Sequence, residues 1–146
     1  MHPAAHTSTL EFRARYAETD QMGVVYHANY LVWCEMGRTD LIRHLWKPYS
    51  VIEKEGVMLA VTDVSMRYHA SARYEDLIRV TTSVEQVRSR AISFTYLIER
   101  VEEDGTTTRL CSARTGLTAL DRASSAPRKL PQDLLDAFRA ATEPNA

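Results

Sequence analysis

The sequence has few of the features that identify the common metal, redox and membrane proteins. Its two cysteines, Cys34 and Cys111, lie far apart and form no Cys-x-x-Cys pair, so neither a zinc site nor a redox dithiol is indicated. No run approaches the roughly 18 apolar residues of a membrane-spanning helix. Residues 1–8 lack the apolar segment of a secretion signal. We therefore expect a cytosolic enzyme or binding domain.

Excess charge and the familiar nucleotide motifs are also missing. The net charge of −1 provides no general attraction to nucleic acid or to an anionic membrane, so neither is expected as a partner. The chain contains no Gly-x-Ser-x-Gly elbow, no phosphate-binding loop and no Gly-x-Gly-x-x-Gly motif. Its scattered histidines, His27, His44 and His69, lack the spacing of zinc ligands. Serine-hydrolase, nucleotide-dependent and zinc chemistry are therefore unsupported.

What the sequence does contain is the ordinary composition of one globular domain. Of its 146 residues, 45% are hydrophobic and 25% are charged. A chain of this size buries most of its apolar surface without disulfides or metal. Since there are no repeats and no sign of a second domain, we expect residues 1–146 to form a single domain, in which residues 1–7 are a disordered tail.

The first half of the chain combines a strand pattern with a long helix pattern. Residues 9–16 alternate apolar and charged side chains, which predicts a half-buried strand. A helix is predicted from Asn29 to about Trp46, because apolar residues recur there every three or four positions. Its apolar face contains Tyr30, Trp33, Cys34, Gly37, Leu41, Ile42 and Leu45. A glycine in mid-helix, Gly37, indicates that the helix approaches a neighbouring element closely.

Four stretches with alternating apolar residues predict four further strands. Their shared faces contain Met58, Ala60, Thr62, Val64, Met66 and Tyr68 in the first stretch, Ile78, Val80, Thr82 and Val84 in the second, Ile92, Phe94, Tyr96 and Ile98 in the third, and Cys111, Ala113, Thr115, Leu117 and Ala119 in the fourth. Short links favour antiparallel pairing of the last three strands. Asp104-Gly105 is typical of a type I′ turn, and a short amphipathic helix begins at Pro131.

These elements predict an α+β fold, in which one antiparallel sheet packs on one long helix. A single helix covers only one face of the sheet. In the strand after the helix, Val57, Leu59 and Val61 lie opposite Met58 and Ala60, so both of its faces are apolar. We therefore expect this strand to be covered by a second subunit rather than by water.

The stretch with the most chemistry is the loop Ala17–Ala28, which joins the first strand to the helix. Long ordered loops in compact domains are often functional. This loop ends at a helix N-terminus, whose unpaired N–H groups stabilise negative charge. It also carries Asp20, so a carboxylate and donors for an oxyanion are close together, as attack on an acyl carbon requires. Glu18 is expected to affect Asp20 only through its charge.

The residue types alone leave simpler interpretations open. Asp20 could be a turn residue and His27 a structural one, while Asn29 is placed to cap the helix. Glu35 and Arg38 have the spacing of a solvated ion pair on a helix surface.

The combination of these residues resembles a known family. Asp20-x-x-Gly23-x-Val25-x-His27-x-x-Tyr30, followed by Glu35-x-x-Arg38, is similar to the signature of hotdog-fold acyl-CoA thioesterases of the 4-hydroxybenzoyl-CoA thioesterase group. The likeness is greatest to the branch associated with the Tol–Pal envelope system. The segment 73–76 resembles a turn of the same family, although the usual preceding proline is absent.

The resemblance implies a five-stranded antiparallel sheet wrapped around one long helix, with a short C-terminal helix. It implies dimers and homotetramers, with active sites at the dimer interface. Asp20 would act as nucleophile or general base, and His27 through its backbone N–H and its side chain. Substrate or CoA would contact Gly23, Val25, Tyr30, Arg88, Arg90, Arg128 and Lys129. Neither a metal nor a cofactor is expected.

Two functions of different classes follow. The first is an acyl-CoA thioesterase, which hydrolyses a thioester to free CoA and a carboxylic acid. The alternative is a non-catalytic module that binds acyl-CoA or an acyl-carrier protein and has no need of Asp20. Retention of Asp20, Gly23 and His27 together favours the enzyme.

Overall fold

The structure, a computed structural model, describes residues 7–142. The elements are β1 (Thr7–Arg13), a 3-10 turn (Tyr16–Glu18), α1 (Asn29–Leu45), α2 (Tyr49–Lys54), β2 (Val57–Tyr68), β3 (Leu77–Val87), β4 (Ala91–Val101), β5 (Thr107–Asp121) and α3 (Gln132–Thr142). Residues 1–6 of the predicted disordered tail lie outside the described part, and Thr7 already belongs to β1. No helix in the described part is both long and apolar enough to cross a lipid bilayer.

The five strands form one sheet in the order β1-β3-β4-β5-β2, and every neighbouring pair is antiparallel. Helix α1 packs on the inner face of this sheet, against β1, β3 and β4. The buried faces predicted for β3, β4 and β5 are confirmed, because their alternating residues form the core around the helix. The predicted α+β arrangement is therefore confirmed, and β1 and β2 are its two edge strands.

Gly37 lets α1 lie directly on the sheet. A Cβ atom built at this position would lie 2.9 Å from Val80 Cγ1 and would overlap the hydroxyl of Thr82. Both of these side chains are on β3. Any larger residue would push the helix away from the strand, so the predicted close approach at Gly37 is confirmed.

The predicted faces of β2 are wrong in its first half, because the strand contains a β-bulge at Thr62. Before the bulge, Leu59 and Val61 pair with the inward-facing residues of β5, and after it Val64 and Tyr68 do so. An extra residue in one strand reverses the alternation of its side chains. Met58 and Ala60 therefore face away from the helix, and the inner edge of β2 is apolar along its whole length.

Two local predictions also differ from the structure, and one short helix was not predicted. The first strand ends at Arg13 rather than at Tyr16, which opens the 3-10 turn and is 75% exposed. Helix α2 was not predicted, because it has only six residues. The turn at Asp104-Gly105 is not type I′, since Gly105 has a φ of +88° but Asp104 does not have a positive φ. Its Gly105 N–H donates to the Glu102 carbonyl, as in a type I turn followed by a left-handed glycine.

Candidate functional site

Asp20 lies at the start of a tight turn. Its N–H donates to the Val24 carbonyl over 2.8 Å, and the Gly23 N–H donates to the Asp20 carbonyl over 3.1 Å. Gly23 has a φ of +81°, which glycine adopts without strain. The Asp20 Oδ1 atom accepts the Met22 N–H over 2.8 Å. Within residues 7–142 Oδ2 accepts no hydrogen bond, so the half-buried carboxylate is oriented by one oxygen and available through the other.

Glu18 fastens this loop to the helix. The residue is only 5% exposed, and its carboxylate accepts the Arg15 N–H over 2.7 Å and the Trp33 indole N–H over 2.8 Å. Its backbone carbonyl accepts the Tyr26 N–H and the Asn29 side-chain amide, each over 2.8 Å. Glu18 was expected to act only through its charge, but its main contacts are structural. Trp33 on the predicted apolar face of the helix could have indicated a buried acceptor such as Glu18, since a buried indole N–H needs a hydrogen-bond partner.

The expectation that Asn29 caps the helix is wrong. Asn29 is the first residue of α1, the cap position is Ala28, and Ala28 has no side chain that could cap the helix. The Asn29 side chain donates back to the loop instead. The N–H groups that a capping side chain would bind, those of Tyr30 and Leu31, donate to the carbonyls of His27 and Ala28 instead, each over 3.2 Å.

His27 lies at that helix start and is exposed. Its carbonyl accepts the Tyr30 N–H over 3.2 Å and the Tyr68 hydroxyl over 3.1 Å. In the described part of the chain, the N–H groups of His27 and Ala28 donate to no acceptor. Two adjacent unpaired N–H groups at a helix N-terminus stabilise a negatively charged oxygen.

Val25 and Tyr30 connect the loop to the segment between β2 and β3. The Val25 N–H donates to the Ala72 carbonyl over 2.8 Å, and the Ala72 N–H donates to the Tyr30 hydroxyl over 2.9 Å. Both side chains are buried, and burial raises the pKa of Tyr30. The two residues therefore hold the loop in place as well as lining the cavity beside it.

One open cavity of about 330 Å³ brings four of the predicted site residues together. Its lining includes Asp20, His27, Val25 and Tyr30, together with Tyr68 at the end of β2. Gly23 shapes the turn without lining the cavity. A carboxylate and the residue that carries an unpaired N–H group thus share one cavity, as the sequence predicted for attack on a carbonyl carbon.

The predicted basic residues lie together at the other end of the sheet. Arg88 and Arg90 flank the β3–β4 turn, and Leu130, just after Arg128 and Lys129, donates its N–H to the Ser89 carbonyl over 2.8 Å. Strand β3 begins beside the Asp20 loop and ends at this turn. An 11-residue strand spans about 33 Å, so these side chains do not reach the Asp20 cavity of their own protomer.

Arg38 is not part of a solvated ion pair with Glu35. It is 8% exposed, forms no ion pair within residues 7–142, and donates from Nη1 to the Tyr96 hydroxyl over 3.2 Å. The Tyr96 hydroxyl also lies 2.6 Å from the Thr115 hydroxyl, and burial raises its pKa. The prediction was wrong because Arg38 follows Gly37 on the side of α1 that faces the sheet.

Comparison with known proteins identifies the class of this chain. Residues 14–138 match the Thioesterase-like superfamily, and the chain belongs to that superfamily. The solved structure of a DHNA-CoA thioesterase from Staphylococcus aureus is 34% identical, with a TM-score of 0.84, and the match covers 92% of this chain and 89% of that one. The predicted hotdog arrangement is therefore confirmed.

Individual relatives agree with this class. The acyl-CoA thioester hydrolase YbgC of Escherichia coli O157:H7 is 31% identical over 127 residues, which are 87% of this chain and 92% of that protein. A structure of a 4-hydroxybenzoyl CoA thioesterase has a TM-score of 0.81 at 14% identity, covers 91% of this chain and 99% of that one, and shares the fold. The sequence prediction that the chain belongs to a family of thioester hydrolases is confirmed.

Proposed function

We propose that this protein is an acyl-CoA thioesterase, which releases CoA and a carboxylic acid. The observation that carries the proposal is the cavity that Asp20 shares with the start of α1, because it combines an available carboxylate oxygen with unpaired N–H groups. The names of the relatives support acyl-CoA as the substrate class. The loop motif supports the 4-hydroxybenzoyl-CoA thioesterase group and its Tol–Pal branch, and a cytosolic location stays a prediction.

The thioester carbonyl oxygen would lie at the unpaired N–H of His27, where the charge that develops during attack is stabilised. Asp20 Oδ2 would attack the carbonyl carbon and form an anhydride, or would remove a proton from an attacking water. In both routes the C–S bond breaks, and the CoA thiolate leaves and takes up a proton. In the first route a water then attacks the acyl carbon of the anhydride, which releases the carboxylic acid and restores the Asp20 carboxylate; in the second the attacking water itself supplies the new oxygen of the acid. The His27 imidazole, which belongs to an exposed residue in the cavity lining, would supply the proton.

We further propose that the working unit is a dimer formed through β2, and that dimers associate into tetramers. Exposed apolar side chains include Val61, Val64 and Tyr68 on β2, together with Leu31 and Val32 in the first turn of α1. A long apolar edge strand is a surface that a second copy covers. Tyr68 also lines the Asp20 cavity, so the partner would complete the site and bring its own basic end towards CoA.

The test is to incubate the purified protein with a panel of acyl-CoA thioesters and to measure free thiol. We expect turnover by the natural chain, and a loss of at least about a thousandfold in Asp20→Asn, since the variant lacks the reacting carboxylate. Glu103→Gln is the matched control, because it removes an exposed carboxylate that does not line the cavity. Tight binding of acyl-CoA without thiol release would favour the non-catalytic binding module instead, and full turnover by Asp20→Asn would refute the role of Asp20.

A further inference from the structure

A second cavity, of about 280 Å³, lies between α1, α2, β2 and β5. Most of its wall is apolar and includes Ile42, Leu59 and Leu117. Arg38 also lines this cavity, and exposed Glu35 stands at its rim. A cavity of this size has room for a short acyl chain. A purely apolar chain would form no hydrogen bond or ion pair with Arg38.

Arg38 is a buried residue, 8% exposed, and its guanidinium lacks a counter-charge in the described part of the chain. Of its five N–H donors, one bonds to the Tyr96 hydroxyl. The Glu35 carboxylate does not pair with it, although the two residues are one helical turn apart. Burying a cation without a partner is costly, and a ligand that covered it with hydrocarbon alone would increase that cost.

We propose that this cavity holds the far end of the acyl group, and that Arg38 binds a terminal carboxylate there. The preferred substrates are then CoA thioesters of dicarboxylic acids. A carboxylate supplies the missing counter-charge and matches the planar fork of a guanidinium with two parallel hydrogen bonds. The inference rests on the proposed thioesterase function and names the substrate class of that site.

The dimer proposed through β2 connects this cavity with Asp20. Within one protomer, Arg38 is nine residues beyond the start of α1, about 14 Å along the helix. If two copies of β2 pair antiparallel about their centres, the first half of one strand, with Leu59 and Val61, lies beside the end of the other, where Tyr68 lines the Asp20 cavity. The Arg38 cavity of one protomer then continues the Asp20 cavity of its partner.

The experiment compares two CoA thioesters of equal carbon number, one from a monocarboxylic and one from a dicarboxylic acid. We expect the natural protein to show a kcat/KM at least roughly tenfold higher for the dicarboxylic thioester. Arg38→Met should abolish this preference, because kcat/KM should fall roughly 30-fold for the dicarboxylic thioester and stay unchanged for the monocarboxylic one. Arg38→Lys should keep part of the preference, since it keeps the charge and loses the fork. Arg139→Met, an exposed arginine on α3, is the matched control and should keep all of it.

The outcomes separate this inference from the proposed function. Turnover of both thioesters without a dicarboxylic preference, or an equal loss on both in Arg38→Met, would overturn the role of Arg38 and leave the thioesterase intact. Such a result is expected if a carboxylate of the partner subunit neutralises Arg38. If Arg38→Met does not fold, the ratio measured for Arg38→Lys decides the question. If neither thioester releases thiol, the thioesterase proposal fails, and with it the substrate class that rests on it.

Discussion

Glu18 offers the sharpest test of how the loop is held, because its buried carboxylate serves two donors at once. Replacing it by glutamine keeps the shape and leaves one oxygen, whereas both the Arg15 N–H and the Trp33 indole N–H require an acceptor. The new amide NH₂ must then face one of these donors. Glu18→Gln therefore loses a charge-assisted hydrogen bond and buries two donors against each other.

The cost follows from the value of these bonds. A hydrogen bond to a charged group contributes about 1.5–3 kcal/mol, and a buried donor without an acceptor costs about 1–3 kcal/mol. We expect Glu18→Gln to lower the free energy of unfolding by about 2–4 kcal/mol. Trp33→Phe removes the indole N–H. In the double variant the amide NH₂ introduced at position 18 can then face the phenyl ring, where it meets no second donor. The two effects should therefore fall short of additivity by about 1.5 kcal/mol or more.

The assay is urea unfolding of the natural protein, the two single variants and the double variant, at one protein concentration. Thioesterase turnover is measured on the same samples. Because the loop carries Asp20, we expect Glu18→Gln to lower turnover under conditions in which the protein is still folded. Effects that add within about 0.5 kcal/mol would refute the coupling between Glu18 and Trp33.

Three further predictions concern other parts of the molecule. Gly37→Ala should lower the free energy of unfolding by about 1–2 kcal/mol, because the overlap with Thr82 outweighs a gain of about 1 kcal/mol in helix propensity, and thermal unfolding measures this. Burial raises the pKa of Cys34 from 9.0 to about 12, so the folded state holds that proton more tightly than the unfolded state. Stability should therefore be fully present below pH 9 and fall as the pH rises from there towards 12, and native Cys34 should resist alkylation until the protein unfolds. Val64→Asp should give a folded monomer in sedimentation equilibrium, since Val64 is 42% exposed in the single chain, and a dimer that persists would contradict pairing through β2.

The fold could be predicted from the sequence wherever alternation is regular. In the predicted stretches of β3, β4 and β5 every second residue is buried, because the register shifts at Glu85 and Leu110 lie outside those stretches. The long helix is marked by buried residues from Tyr30 to Leu41. In β2 the same reasoning fails at Thr62, because an inserted residue reverses the faces while leaving the strand apolar on both sides. Nothing in a period of two distinguishes such a bulge from a strand covered on both faces.

The candidate site divides in a similar way. Asp20, Gly23 and His27 could be found because their types and spacing form a motif. The roles of Glu18 and Arg38 could not, since both carry charge and a charged residue is expected at the surface. Their burial depends on partners distant in the chain, such as Tyr96 on β4, and on the close approach of α1 to the sheet that Gly37 allows.

The hydrogen bonds at the start of α1 have a consequence for the direction of its unpaired donors. A peptide group is planar and trans, so its C=O and N–H point in opposite directions. The Tyr26 carbonyl is held by the Asn29 N–H, and the His27 carbonyl by the Tyr30 N–H and the Tyr68 hydroxyl. The N–H groups of His27 and Ala28 are thus aimed out of the helix end by bonds made on the far side of their own peptide planes. An incoming carbonyl oxygen meets donors that need not turn to receive it.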